Sequence, residues 1–384
     1  MKLLQISVEG LALFKETLNI SFFAQQRVTD DDRETLYPLF SNLCLNPTNS
    51  FIGINASGKT SVLKLILMVL SMLNNEPINH IKCRDVLGNN KKVIINSYFY
   101  SENKNEVCWL KTVIETTVEE GGNVIYRISD ESLWSKPKDK VKTRKALTDF
   151  SGKDPVLIRD YSEKFLPDDV SIMIAYNKES KEKVHVSNLL QFTNSNILPF
   201  SDNISTEIIR FLDPSIEKLY FERVGTKSII RLKFFDKKEI TLNTPEQLNN
   251  YLSSGTIKGI IVFSQVKEVL LQGGYMIVDE LENHFNKEIV FTLLRFFTDI
   301  ELNRKGGTLL FSTHYPELLD EYDRNDSIYV VRNRKGITVD NLCSLLKRND
   351  IKKSEAYQSG LLEGTTPVYE AYLQLKKNIS SSIK

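Results

Sequence analysis

The stretch Gly53-Ile54-Asn55-Ala56-Ser57-Gly58-Lys59-Thr60 decides the fold, because it follows the extended Ser50-Phe51-Ile52 and opens the apolar-periodic run from Ser61 to Leu73. It satisfies the pattern G-x-x-x-x-G-K-[ST] in the context strand, glycine loop, helix. Glycines let the backbone turn tightly enough for successive N–H groups to face phosphate oxygens, and the helix adds the positive end of its dipole. Lys59 can then reach the β- and γ-phosphates of a nucleotide, and Thr60 can ligate Mg²⁺. The candidate nucleotide-binding residues of this loop are Gly53, Asn55, Ala56, Ser57, Gly58, Lys59, Thr60 and Ser61.

Two further strand ends carry polar groups. Tyr275-Met276-Ile277-Val278 is an apolar run that ends in Asp279 and Glu280. A buried parallel strand would deliver Asp279 at its C-terminal edge, where it can hold Mg²⁺ through water, while Glu280 polarises an attacking water. Leu309-Leu310-Phe311-Ser312-Thr313-His314 repeats the device, and a histidine there can donate a hydrogen bond to the γ-phosphate or to the water. Leu252-Ser253-Ser254-Gly255-Thr256 precedes an apolar helix. Its hydroxyls, glycine and helix N-terminus offer a second anion-binding surface, and the same pattern also reads as a plain N-cap.

In this order, GINASGKT, LSSGT, YMIVDELEN and FSTH resemble the ATP-binding-cassette ATPases. The likeness is closest to their soluble branch of SMC, RecF and OLD-type proteins, including the stand-alone AAA-like ATPases of bacterial anti-phage systems. It covers residues of about 1–120 and 245–330. The resemblance implies an ATP hydrolase that forms a head-to-tail dimer or higher oligomer, with each ATP between the P-loop of one protomer and the LSSGT signature of another. It assigns phosphate and Mg²⁺ binding to Lys59 and Thr60, Mg²⁺ to Asp279, the catalytic base to Glu280 and the switch histidine to His314. Ser254 and Gly255 would act in trans, with Ser253 beside them among the nucleotide-binding residues, and Glu282, Asn283 and Asn286 would fall in or near the loop that crosses the dimer interface. Gln191 is the nearest candidate for the coupling glutamine of that family. No long coiled coil divides the motifs, and the roughly 55 residues after Val330 carry no nuclease signature.

The implied fold class is α/β: a P-loop head with a parallel core sheet, an antiparallel β lobe and an inserted mixed or helical segment. Residues 1–128 form its N-terminal half, 129–248 the insertion, 249–335 the C-terminal half and 336–384 a tail. Residues 2–24 read as an antiparallel pair, and residues 93–128 as strands joined by the turns SENKNE and EEGGN. Within the insertion VSIMIAY at 170–176 looks strand-like, STEIIRFL helical, and SIIRLKFF with EITL hairpin-like. From Thr256 the pattern alternates helix (to Gln272), strand (Tyr275 to Val278), helix (Asn286 to Glu301) and strand (Thr308 to Ser312).

Composition bounds the partners. With 384 residues, 50 Lys+Arg, 49 Asp+Glu and 41% hydrophobic residues, the chain has the proportions of a globular protein, and disorder or a small disulfide scaffold is excluded. The four cysteines show no C-x-x-C spacing, no signal peptide or membrane span is visible, and a cytoplasmic location is expected. A net charge of +1 leaves only local support for nucleic acid, chiefly residues 136–145, KPKDKVKTRK, with five lysines and one arginine against Asp139. The segment Val368 to Leu375 reads as an amphipathic helix expected to pack on the core, with a docking face for a partner as the alternative. The functional expectation is an ATPase subunit, with ATP and Mg²⁺ as cofactors, that signals to a separate effector such as a toxin or nuclease in anti-phage defence. The alternatives are a nucleotide-gated scaffold with little turnover, and a RecF-like DNA-repair ATPase.

Overall fold

The computed structural model describes residues 1–118, 121–160, 166–191, 197–198, 204–224, 227–283, 285–347, 351–365 and 369–382. The chain begins with β1 (Lys2–Glu9) and β2 (Leu18–Ser21), then β3 (Tyr37–Phe40) and β4 (Leu43–Leu45), then β5 (Thr48–Ile52), the glycine loop and α1 (Lys59–Leu73). A long meander follows, β6 (Lys92–Ser101), β7 (Glu106–Val118) and β8 (Val124–Pro137), and after it α2 (Arg144–Thr148) and β9 (Leu157–Ile158). The middle holds α3 (Met173–Ser180), β10 (Val186–Leu189), α4 (Thr206–Leu212), β11 (Ile216–Val224), β12 (Lys227–Phe234) and β13 (Ile240–Leu242). The last third alternates, with α5 (Ser254–Gln272), β14 (Tyr275–Val278), α6 (Lys287–Thr298), β15 (Thr308–Thr313), β16 (Ile328–Asn333) and β17 (Ile337–Asn341). Three helices complete it: α7 (Leu342–Leu345), α8 (Lys353–Gln358) and α9 (Tyr369–Ser382).

The core sheet has the order β10-β14-β15-β5-β16-β17, parallel throughout except for the β17 edge. Every residue of β5, β14 and β15 is buried, as expected of parallel strands covered on both faces. That is why YMIV and TLLFST read as unbroken apolar runs rather than alternating ones. The antiparallel sheet has the order β2-β1-β6-β7-β8-β9, and β11-β12-β13 form a third sheet whose apolar face packs with α4 and the start of α5. The α/β class expected from the sequence is thus present, with parallel and antiparallel sheets and helices.

Helix α1 lies in one apolar cluster with both large sheets. Leu63, Ile66, Met68 and Leu70 share that cluster with Val93, Phe99 and Leu110 of the antiparallel lobe and with Ile277 and Leu310 of the core sheet. A helix that is apolar nearly all round can sit only between layers, so its N-terminus is fixed where the glycine loop ends. A second tie is polar. The ammonium of Lys2, 1% exposed, donates to the carbonyls of Gly273, Lys305 and Gly306 at 2.7, 2.5 and 2.9 Å. It links the first strand of the lobe to the turns that precede β14 and β15.

Several sequence expectations change. VSIMIAY is not a strand: Met173–Ser180 is helical, because residues 172, 173, 176, 177 and 180 are the buried ones, a helical spacing. Its start is held by the buried carboxylate of Glu131, which accepts from the Ile172 N–H at 2.7 Å and the Ser171 hydroxyl at 2.8 Å. Strand β8 runs through position 128 without a break, so the antiparallel lobe extends into what reads as an insertion. Helix α5 starts at Ser254 rather than Thr256, and α6 ends at Thr298 rather than Glu301. No residue of α9 is buried, contrary to the expected packing. Val368, with Glu119 and Glu120 of the EEGGN turn, lies outside the described residues. Among the described residues no helix is long and apolar enough to cross a membrane.

The Lys2 cage can be tested directly. Replacing Lys2 with Met takes the donor from three carbonyls, two of them in buried contacts, and Lys2→Met should lower unfolding free energy by about 2–3 kcal/mol. Equilibrium denaturation in urea measures it, and an unchanged midpoint would contradict the role given to this contact.

Candidate functional site

The glycine loop is shaped by close approaches. A side-chain carbon at Gly53 would lie 2.3 Å from both Ser57 Oγ and the Val331 carbonyl oxygen. Gly58 has φ of +102° and faces Ile337, whose Cδ1 would sit 2.4 Å from a side-chain carbon there. Only glycine fits either position, which gives the two glycines of the pattern separate physical reasons. Ala56, also left-handed at φ +59°, is pinned by Asn333, whose Nδ2 donates to its carbonyl at 3.2 Å. The turn between β16 and β17 is therefore the floor under the loop.

The first residues of α1 meet the ends of β14 and β15. Lys59 Nζ donates to the carbonyls of Gly53 and Ile54 at 2.9 and 3.2 Å and lies 3.3 Å from His314 Nδ1. Burial pushes this ammonium below its ordinary pKa, and Asp279, Glu280 and Glu282 oppose the shift. The Thr60 hydroxyl donates to Asp279 Oδ2 at 2.7 Å, and the Ser312 hydroxyl donates to Asp279 Oδ1 at 2.5 Å. Glu280 stands at φ +50°, an uncommon backbone conformation for a glutamate. Its carboxylate is held on both sides, by Asn283 Nδ2 at 2.5 Å and by His314 Nε2 at 3.3 Å. The backbone N–H of His314 donates to Glu282 Oε1 at 2.5 Å, so the buried Glu282 sets the position of the histidine's own main chain.

Lys59, Thr60, Glu280 and His314 border a cavity of about 720 Å³, and Asp279 stands behind Thr60, hydrogen-bonded to it. One wall is the loop from Asn55 to Ser61 with Glu280 and His314; the other is Ala12, Leu13 and the turn around Lys335 to Ile337. Chemically, the site offers hard oxygen donors at Thr60 and Asp279, the Lys59 ammonium, and a carboxylate aimed by an amide and an imidazole. That set suits a polyphosphate with a divalent cation.

The structure brings Lys59, Thr60, Asp279, Glu280 and His314 together. It does not bring the LSSGT residues there. Ser253 is the N-cap of α5, its hydroxyl accepting from the Thr256 N–H at 3.0 Å, and Ser253, Ser254 and Gly255 are not among the cavity-lining residues. Gln191 is exposed just beyond β10 and is not part of the lining either. Asn286 caps α6, accepting from the Ile289 N–H at 2.9 Å. Sequence reasoning missed Ser312 as a site residue, although FSTH displays it two positions before the histidine, and missed the wall formed by residues 12–13 and 335–337, which carries no motif.

Against protein-family models, residues 49–320 match the family described as "AAA domain, putative AbiEii toxin, Type IV TA system". Comparison with curated proteins finds no match. The matched region covers more than half of the chain and contains the glycine loop, Asp279, Glu280 and His314. The chain therefore belongs to this family of AAA-type P-loop domains.

Proposed function

We propose that this chain binds ATP with Mg²⁺ in the 720 Å³ cavity and hydrolyses it to ADP and phosphate. The observation that carries the reading is the convergence of Lys59, Thr60, Asp279, Glu280 and His314 from three separate elements, joined by hydrogen bonds, with all but Asp279 lining one cavity. The cradle fits a phosphate chain, since any side chain at Gly53 or Gly58 would fill space that the loop needs. Thr60 and Asp279 would hold Mg²⁺, which supplies charge neutralisation on the phosphates when bound. Glu280 takes the proton of the attacking water, and Asn283 and His314 keep its carboxylate aimed while that proton transfers. Lys59 stabilises negative charge that grows on the phosphate oxygens.

The LSSGT residues head α5 away from the cavity lining, which supports a composite site in which a second copy supplies them. In this reading ATP closes a head-to-tail dimer, or a higher oligomer, and the dimer signals to a separate effector in anti-phage defence. The family's description, with its toxin and toxin–antitoxin wording, supports an effector of that kind. Residues 129–248, together with the basic block, are the proposed docking region. Part of that block is internal: Lys136 is buried against Phe150 and donates to the carbonyls of Ala146 and Asp149, and Arg144 donates to the Gln25 carbonyl. The exposed positive charges are those of Lys140, Lys142 and Lys145, beside the exposed Asp139.

Glu280→Gln should lower ATP turnover by roughly 100-fold or more while ATP stays bound, whereas Lys59→Ala should weaken binding itself. Turnover and equilibrium nucleotide binding check this, and wild-type hydrolysis by the Gln variant would remove Glu280 from the mechanism. Mixed Lys59→Ala and Ser254→Arg protomers should regain activity, because each heterodimer keeps one complete site; a mixture as inactive as its parents, after subunit exchange is verified, argues against sharing. Charge reversal at Lys140, Lys142 and Lys145 should weaken effector or nucleic-acid binding and leave basal turnover unchanged, measured by pull-down and by anisotropy at two salt concentrations. Unaltered binding would make these three ordinary solvated lysines.

A further inference from the structure

The end of β15 does more than present a histidine. Ser312 is wholly buried, and its hydroxyl lies between the two carboxylate-bearing residues of the site. It donates its single proton to Asp279 Oδ1 at 2.5 Å and accepts the Glu280 backbone N–H at 2.7 Å. The directions are fixed by chemistry, because an ionised carboxylate can only accept and an amide N–H can only donate. The carbonyl of the same serine accepts the Leu281 N–H at 3.1 Å. One residue thus holds three consecutive positions, 279, 280 and 281, through three different atoms or protons.

The middle position is the one that needs holding. Glu280 is left-handed at φ +50°, a conformation that persists in a non-glycine residue only when its surroundings determine it. The Ser312 hydroxyl and carbonyl bracket that residue with hydrogen bonds to its own N–H and to the next one. The same hydroxyl restrains the free rotation of the Asp279 carboxylate, whose other oxygen accepts from Thr60 at 2.7 Å. We infer that Ser312 is a positioning residue that locks the Asp279 carboxylate and the Glu280 backbone into one unit, so that the orientation of the cation ligand and that of the catalytic base are set together. This rests on the hydrolytic reading above for Glu280, but its part concerning Asp279 does not.

The test compares wild type, Ser312→Ala and Ser312→Thr, with Glu280→Gln as a parallel control. Manganese(II) is the probe, titrated by electron paramagnetic resonance in the presence of a non-hydrolysable ATP analogue, and ATP turnover is measured over a range of Mg²⁺ concentrations. Ser312→Ala should weaken Mn²⁺ binding and lower kcat, each by about 10–100-fold, the range for groups that orient a ligand from behind. Nucleotide binding in EDTA should stay unchanged, and Ser312→Thr, which keeps the hydroxyl, should recover most of the Mn²⁺ affinity. A Ser312→Ala protein that melts earlier but has the wild-type Mn²⁺ midpoint and kcat would make the serine a structural strand end and overturn the inference. Wild-type turnover by Glu280→Gln would instead overturn the hydrolytic reading, and the Mn²⁺ titration would still decide the role of Ser312 at Asp279.

Discussion

The parallel pairing of β15 between β14 and β5 is the constraint on which the site depends. Its register sets Val278 beside Phe311, Ser312 beside Phe51 and Thr313 beside Ile52. All three strands therefore stop at one edge, and the residues that follow them have nowhere to go but the same crevice. A shift of either neighbour by one residue would send the alternate side chains to the opposite face and separate the carboxylates from the glycine loop. The polar contacts at that edge continue the register beyond the sheet: Ser312 reaches the residues just past β14, and the His314 N–H reaches Glu282. The crevice is an extension of the ladder by side chains.

Much of the site was legible because each of its parts is a short run with its own physical signature. An apolar strand followed by glycines, or by carboxylates, announces where it ends, and GINASGKT, YMIVDE and FSTH all do so. The second wall was not legible, since Ala12, Leu13 and Ile337 are there only through tertiary placement and would look the same in any loop. Ser312 falls between these cases. Its identity was in plain view, yet its contacts with Asp279 and Glu280 exist only once two strands from distant parts of the chain are side by side.

The middle of the chain resisted reading for a different reason. VSIMIAY has enough apolar residues for a strand, and the helix is selected by a buried glutamate on a strand of the antiparallel lobe, a partner that no local window contains. The charge block shows the same limitation. Counting lysines gives a dense positive stretch, but Lys136 spends its charge on backbone carbonyls beneath an aromatic ring. Near it, Tyr98, Trp109 and Trp134 stack across neighbouring strands, with ring centroids 5.9 and 4.1 Å apart. That segment is anchored to the lobe rather than free in solvent, which alternation and charge counts alone could not reveal.

The place of β5 has a consequence for the order in which the molecule is made. Its partners β15 and β16 begin at Thr308 and Ile328, so a strand complete at Ile52 waits for more than 250 residues of further synthesis before either side can be paired. At roughly 5–20 residues per second that interval is on the order of 10–50 s. During it, β5 has neither of its sheet neighbours, and the largely apolar α1 can pack only against the antiparallel lobe, whose strands lie on both sides of it in the chain. The nucleotide loop cannot have its final shape on a nascent chain until the turn that forms its floor has left the ribosome. Such long-range closure slows folding and prolongs exposure to misassembly.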